Sequence, residues 1–297
     1  MKDCINMHGR ELRLDSPLVM AILNVTPDSF SDREHLMDVN SVTVAAARAL
    51  QQGADIIDIG GCSTRPKSNP PSEEEELRRV RLGVTAVRTA FPDAIISVDT
   101  FRAHVAEVAV SECGADIVND VTGGLSDPEM FATVARLKTP YILTHTRISD
   151  EAASPYLEGQ IPASADFFEG RPAAQVTSSD DLITDMMMFF RTRIDELRRY
   201  GVEDIILDPG YGFGKSLEQN YEVLRRQREL LCLDYPILAG ISHKSMIYKP
   251  LNIAPQDTVN GTTALHMVAL MGGASILRVH EVKEAKQTIE LFKLCQV

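Results

Sequence analysis

Several common signatures are missing from this chain. It contains no CxxC pair and no HExxH segment. Its five cysteines (Cys4, Cys62, Cys113, Cys232 and Cys295) are odd in number and far apart. That argues against a disulfide framework or a structural zinc site, and for reduced thiols in a cytoplasmic protein. No apolar run approaches the ~20 residues of a membrane span. The opening stretch, MKDCINMHGRELRLD, holds no apolar signal region, so secretion is not expected. Positive charge is in deficit, with a formal net charge of −12. This excess of acid argues against non-specific nucleic-acid binding and against a basic membrane-binding surface. An acidic protein that binds an anion must gather its cations locally, which singles out Arg65, Lys215, Lys244, Arg278 and His280.

Signatures of covalent catalysis are missing too. No Ser-His-Asp order, catalytic-cysteine signature or paired acid/base spacing stands out. Positioning and electrostatic stabilisation are therefore favoured. The stretch IILDPGYGFGKS (205–216) looks at first like a phosphate loop, but fails on register. A Walker A loop needs a glycine where Pro209 stands, and a dinucleotide fingerprint begun at Gly210 needs one where Lys215 stands. What remains is a short apolar run that ends in Asp208 and is stopped by Pro209. Gly210, Gly212 and Gly214 then alternate with Tyr211 and Phe213. A buried strand that delivers a carboxylate to its carboxyl end and opens into a loop is how α/β proteins build sites. The plainer alternative is a strand-to-helix turn with a surface aspartate.

The same pattern recurs along the chain. Apolar runs at 18–23, 54–59, 94–98, 116–118, 140–144, 204–207, 236–239 and 274–279 each precede a helix-like segment. Helices are expected at 42–52, from Ser72, and at 103–113, 128–137, 182–200, 218–231, 259–271 and 282–294. Glu73 to Glu76 follow Ser72 as a solvated helix start, where the helix dipole favours acids. Eight strand–helix units with right-handed crossovers predict a (β/α)₈ barrel. A doubly wound open sheet is the runner-up, but nothing marks either end of the chain as an exposed edge. Length and composition allow residues 1–297 to form one domain with a large core. Residues 4–15 read as a small N-terminal hairpin plugging the barrel, and 148–179 as an extended loop or insertion.

Active sites of such barrels lie where the strands' carboxyl ends converge. Those ends carry Asn24, Gly60-Gly61, Asp99, Asn119, His145, Asp208, Ser242-His243-Lys244 and Arg278-Val279-His280. Asp99, Asn119 and Asp208 suit a flat heterocycle bearing an amino group and ring N–H donors, with Lys244 donating to its carbonyl or ring nitrogen. Asn24, Arg278 and His280 make a corner for phosphate and Mg²⁺. Each has a plainer reading: Asp99 as a helix cap, His280 as a rim histidine, Lys244-Ser245 as an ordinary helix start.

In order along the chain stand ILNVTPDSFSD (22–32), GADIIDIGGCSTRP (53–66), SVDT (97–100), GADIVNDVTGG (114–124), LDPGYGFGK (207–215), GISHKSMI (240–247), NGTT (260–263) and the run ending in Arg278-Val279-His280. Through these the chain resembles the dihydropteroate synthases, a family of pterin-binding (β/α)₈ barrels, over almost its whole length. The resemblance implies a folate-pathway transferase that joins 6-hydroxymethyl-7,8-dihydropterin diphosphate to 4-aminobenzoate, releasing diphosphate and 7,8-dihydropteroate. It also implies Mg²⁺, a homodimer and a sulfonamide target. By that resemblance Asp99, Asn119, Asp208 and Lys244 hold the pterin, and Asn24 contributes to metal and diphosphate. Arg278 and His280 take the diphosphate, and Thr64, Arg65, Phe213, Lys244 and Ser245 surround the aminobenzoate. Asp99, Lys244, Arg278 and His280 form the catalytic set. The bond to diphosphate is expected to break first, leaving a cation on the pterin methylene that the arylamine attacks. Loops 25–38 and 63–71 are the expected moving covers.

The chain departs from the family pattern in places. His243 stands where arginine is usual, Thr146 where methionine is usual, and Cys62 where glutamate is common. Arg33-Glu34 replaces a glycine pair. Two other readings follow from the same residues: a corrinoid-linked methyltransferase of the same superfamily, and a pterin-binding paralogue without turnover.

Overall fold

A computed structural model describes residues 3–7, 9–26, 38–62, 71–146 and 181–295. The chain begins with an antiparallel hairpin, β1 (Cys4–Met7) and β2 (Arg10–Arg13). Eight parallel strands follow: β3 (Leu18–Asn24), β4 (Ile56–Gly60), β5 (Ile95–Asp99), β6 (Ile117–Asp120), β7 (Tyr141–Thr144), β8 (Ile205–Asp208), β9 (Ile237–Ala239) and β10 (Ala274–Val279). They close in chain order, with β10 pairing β3, so no barrel strand is left as an edge. The predicted barrel is therefore present and the open-sheet alternative is excluded.

Among the described residues, the helices outside the barrel are α1 (Val39–Gln51), α2 (Glu73–Ala90), α3 (Ala103–Ser111), α4 (Met130–Leu137), α5 (Leu182–Arg199), α6 (Leu217–Arg226), α7 (Ser245–Leu251), α8 (Val259–Met271) and α9 (Val282–Cys295). Period-two alternation divides each strand between two environments. Outward residues such as Ile57, Ile59, Val98, Leu143 and Leu277 join the helices in one apolar cluster. Inward residues Met20, Ile56, Ile117, Ile142, Ile206, Leu238 and Ile276 form a second cluster, into which Ile5, Met7 and Leu12 of the hairpin pack. The hairpin plugs the amino-terminal end of the barrel, as expected. A backbone bond from Asn6 to the Asp204 carboxylate (3.0 Å) ties it there.

Higher in the barrel the inward positions turn polar. The register sets Asp58 beside Ser97, Gly60 beside Asp99, and Asp99 beside Asn119. Thr144 pairs with Asp208 on the far side.

Two local readings need correction. Glu76 is not solvated: it is fully buried, accepts from Thr100 Oγ1 at 2.6 Å and pairs with Arg102. Its place on the buried stripe of α2, with Val80, Val84 and Val87, carries it inward. The helix expected over 218–231 stops at Arg226 and tightens into a 3₁₀ turn, Gln227–Leu233. There Gln227 turns inward, accepting from Tyr211 Oη at 2.7 Å and donating to the Ala269 carbonyl at 3.0 Å. After β9 the chain turns at Ser242-His243 and α7 starts at Ser245, where a helix start is one of the readings. The segment 148–179 lies outside the described residues.

Candidate active site

The polar layer converges where the strands end. Asp58, inward on β4, is fully buried. Its Oδ2 accepts from Arg278 Nε at 2.6 Å and from Asn119 Nδ2 at 3.2 Å. Arg278 Nη2 donates to Asp99 Oδ2 at 2.5 Å. One guanidinium thus faces two carboxylates in a space that water barely reaches. Burial pushes the Asp99 carboxyl up to about 7; Arg278 pulls it down, and Asp58 adds to the rise. Burial works against the charge on Arg278, but Asp58 and Asp99 outweigh it and raise its pKa.

Asp208 is buried at the end of β8 and accepts from the Gly210 amide at 2.8 Å. Burial raises its pKa and Lys244 opposes the rise. Lys244, lowered to about 8 chiefly by burial, donates to the Tyr211 carbonyl and lies 4.4 Å from the centre of the Phe213 ring. A Cβ built on Gly240 would meet Lys244 Nζ at 3.8 Å, Arg278 Cβ at 3.9 Å and Asp208 Oδ2 at 4.0 Å, so all three close on the space that glycine leaves. Gly210 serves the site differently: with φ +67, a Cβ there would lie 2.0 Å from the His145 carbonyl oxygen. Only glycine allows that approach. Lys215, a candidate anion ligand by sequence, is instead buried and donates to the carbonyls of His145 and Gly210 at 3.1 and 2.9 Å. It shapes the loop around Asp208.

Asn24 ends β3, and its Oδ1 would lie 3.3 Å from a Cβ on Gly60, with Asp99 Cβ at 3.6 Å. The bare glycine leaves this amide oxygen an open side next to Asp99. Among the described residues no three His, Cys, Asp or Glu side chains cluster to cage a metal. A lone amide oxygen fits Mg²⁺, which keeps waters and takes other ligands from phosphate oxygens; it does not fit zinc.

His280 lies at the end of β10, its Nδ1 3.0 Å from Ser242 Oγ. Ser245 begins α7, whose cap residue Lys244 gives the first turn no side-chain hydrogen bond. The structure thus joins Asp99, Asn119, Asp208, Lys244, Phe213 and Arg278 around one space. Arg278 is gripped by carboxylates rather than held beside His280. Thr64 and Arg65 lie outside the described residues. Sequence reasoning missed Asp58. Its signal was a carboxylate inside the otherwise apolar strand IIDIG, which must find a partner when buried.

The closed barrel thus gathers carboxylates, an amide and the half-buried Lys244 at its carboxyl-terminal mouth. Residues 20–280 match the family of pterin-binding enzymes. Among curated proteins, dihydropteroate synthase of Synechocystis is 42% identical over 274 residues, 91% of this chain and 86% of that protein. A solved structure of Yersinia pestis dihydropteroate synthase with a sulfonamide drug superposes with a TM-score of 0.85 at 36% identity, covering 99% of this chain and 98% of that one. The Xanthomonas albilineans enzyme solved with 4-aminobenzoic acid gives 0.83 at 32% identity, over 100% and 99% of the two chains. The chain belongs to the pterin-binding barrel enzymes. Within them it belongs to the dihydropteroate synthase family, the transferases of folate synthesis.

Proposed function

We propose that the mouth of the barrel joins 6-hydroxymethyl-7,8-dihydropterin diphosphate to 4-aminobenzoate. The observation that carries this is the buried set Asp58, Asp99, Asn119 and Asp208 closing with Lys244 and Arg278 on one space. Asp208, Asn119 and Asp99 take the pterin's amino and ring N–H donors, and Lys244 donates to its carbonyl or ring nitrogen. The ring meets groups already fixed by one another, so few rotamers are lost on binding.

As the bond to diphosphate breaks, positive charge grows on the pterin methylene. Asp99 and Asp208 stand ready with negative charge held out of water, where it acts most strongly. His280 and Arg278 hold the departing diphosphate. With Nε and Nη2 engaged by carboxylates, Arg278 offers its remaining Nη1 edge to the ligand. Asn24 would hold Mg²⁺, which when bound adds positive charge at the leaving oxygens. Phe213, pinned by the Lys244 ammonium, gives 4-aminobenzoate a flat wall, and its carboxylate rests by Ser245 at the start of α7. Thr64 and Arg65 complete that corner, which is also where a sulfonamide competes.

The active species is read as a homodimer in the cytoplasm. Val268 and Met271 on α8, with Leu291 and Leu294 on α9, are exposed on two helices that pack together. None of the five cysteines is in a disulfide, as suits a reducing compartment. No helix of the described residues is long and apolar enough to cross a membrane. The test is direct: purified protein with the pterin diphosphate, 4-aminobenzoate and Mg²⁺ forms dihydropteroate. Product at the uncatalysed level would overturn the reading.

A further inference from the structure

His243 follows β9 in a left-handed backbone conformation (φ 56), which side-chain-bearing residues adopt at some energetic cost. That conformation places its ring between acceptors. Nδ1 lies 2.6 Å from the Pro255 carbonyl oxygen, and Nε2 lies 2.6 Å from Glu281 Oε1. The Thr258 hydroxyl, 2.7 Å from Nδ1, gives its own proton to the Pro255 carbonyl at 2.7 Å, so it too faces Nδ1 as an acceptor. A neutral imidazole carries hydrogen on one nitrogen only. Either tautomer would press a lone pair against an oxygen at hydrogen-bond distance. The other oxygen of Glu281 accepts from Ser242 Oγ, so the carboxylate meets both neighbours as an acceptor. The ring that satisfies both contacts is the imidazolium.

Its partner leads to the diphosphate corner. Glu281 Oε2 accepts from Ser242 Oγ at 3.3 Å. With its proton given to Glu281, Ser242 Oγ accepts from His280 Nδ1 at 3.0 Å. The two imidazoles stand edge to face, 4.9 Å apart. Among the described residues, His266, Lys244 and Asp257 are further ionisable groups near the cluster. His266 on α8 is buried, and burial lowers it to about 4 against the pull of Glu281, so it is neutral. The Lys244 ammonium is directed to the Tyr211 carbonyl, and Asp257 is exposed on the turn that presents Pro255. His243 is the cation that balances Glu281.

We propose that His243 is a positioning residue of this enzyme: as an imidazolium it clamps Glu281, which through Ser242 fixes the ring of His280 with hydrogen on Nδ1 for binding diphosphate. This rests on the reading of His280 as a diphosphate ligand. It also accounts for histidine where the family usually carries arginine, because the positive charge is kept.

Two measurements test it on the full chain. In ¹⁵N-histidine spectra at pH 7, assigned by difference with His243→Gln, both ring nitrogens of His243 appear protonated; one protonated nitrogen overturns the proposal. Calorimetry with inorganic pyrophosphate and Mg²⁺ then shows about tenfold weaker binding for His243→Gln, the loss expected for one charge-assisted contact. His243→Arg binds within about twofold of the parent, and pterin affinity is unchanged in both. Equal loss of pterin and pyrophosphate binding, or no loss of either, overturns the positioning role. If the parent protein itself ignores pyrophosphate, the diphosphate reading of the corner falls and the positioning role with it, while the spectra still decide the charge on His243.

Discussion

Asp58 on β4 and Arg278 on β10 meet at 2.6 Å, reaching over the intervening strand β3. The same carboxylate oxygen holds Asn119 at 3.2 Å. One buried side chain thus orients two groups of the proposed site, Asn119 at the pterin and Arg278 at the diphosphate. Asp58→Asn keeps the shape, removes the charge and leaves Arg278 to Asp99 alone. The expected loss is about 2–3 kcal/mol of transition-state stabilisation, the range for hydrogen bonds to charged groups. That is roughly 30- to 150-fold in kcat/KM for the pterin substrate. Steady-state kinetics beside a circular-dichroism melt separate this from unfolding; unchanged kcat/KM would show that Asp58 positions nothing.

Asp208→Asn tests the division of the site between its two substrates. Asp208 is buried under the Gly210 loop, whereas Phe213 and Ser245 face the second substrate in the proposed arrangement. The variant should lose at least tenfold in pterin affinity, a single hydrogen bond to a charged acceptor. Affinity for 4-aminobenzoate, measured by calorimetry, should change far less. Equal losses would contradict the assignment.

The pH dependence follows from two buried groups shifted toward each other. Asp99, raised to about 7 by burial against the pull of Arg278, becomes a carboxylate only as pH climbs through that value. Lys244, lowered to about 8 by burial, loses its proton as pH climbs through that one. In the proposed arrangement, pterin recognition needs the Asp99 carboxylate and the Lys244 ammonium together. A plot of kcat/KM against pH should therefore be a narrow bell, falling below about 7 and above about 8. Lys244→Arg, which cannot lose its proton, should remove the alkaline contribution of this residue at reduced activity. A flat profile from pH 6 to 9 would refute the scheme.

The proposed dimer predicts a solution behaviour. Met271 and Leu294 are 65% and 73% exposed. Replacing both by glutamate puts charge onto the two helices that also expose Val268 and Leu291. Sedimentation should then show a monomer where the parent sediments as a dimer. A parent that already sediments as a monomer would remove the homodimer from the reading.

Much of this was legible in the sequence because the barrel repeats one simple signal. Apolar runs of strand length end in Asn24, Asp99, Asp208 and Lys244's turn, and strand ends are where a barrel keeps its site. What escaped lies inside elements. Asp58 sits in mid-strand, where alternation says only that it faces inward; its partner is 220 positions away. Glu76 was masked by the three glutamates before it, although its spacing to Val80 and Val84 placed it on the buried face. The path from His243 to His280 depends on Glu281, a residue past a strand end whose direction only the folded backbone fixes.

Glu76 yields the last prediction. Its carboxylate is fully buried, pushed up by burial and pulled down by Arg102, and held by Thr100 at 2.6 Å. Arg102 stands at the N-cap position of α3, and its side chain donates to the Pro71 carbonyl at 3.0 Å. The pair therefore ties the approach to α2 to the turn after Asp99. Removing one partner strands the other charge away from water, which typically costs about 3–5 kcal/mol. Glu76→Ala should thus lower stability by that order in urea unfolding. Joint replacement of Glu76 and Arg102 by methionine and leucine should recover much of the loss, because no charge is then left unpaired. If Glu76→Ala melts within about 1 kcal/mol of the parent, the buried pair does not hold this corner of the barrel.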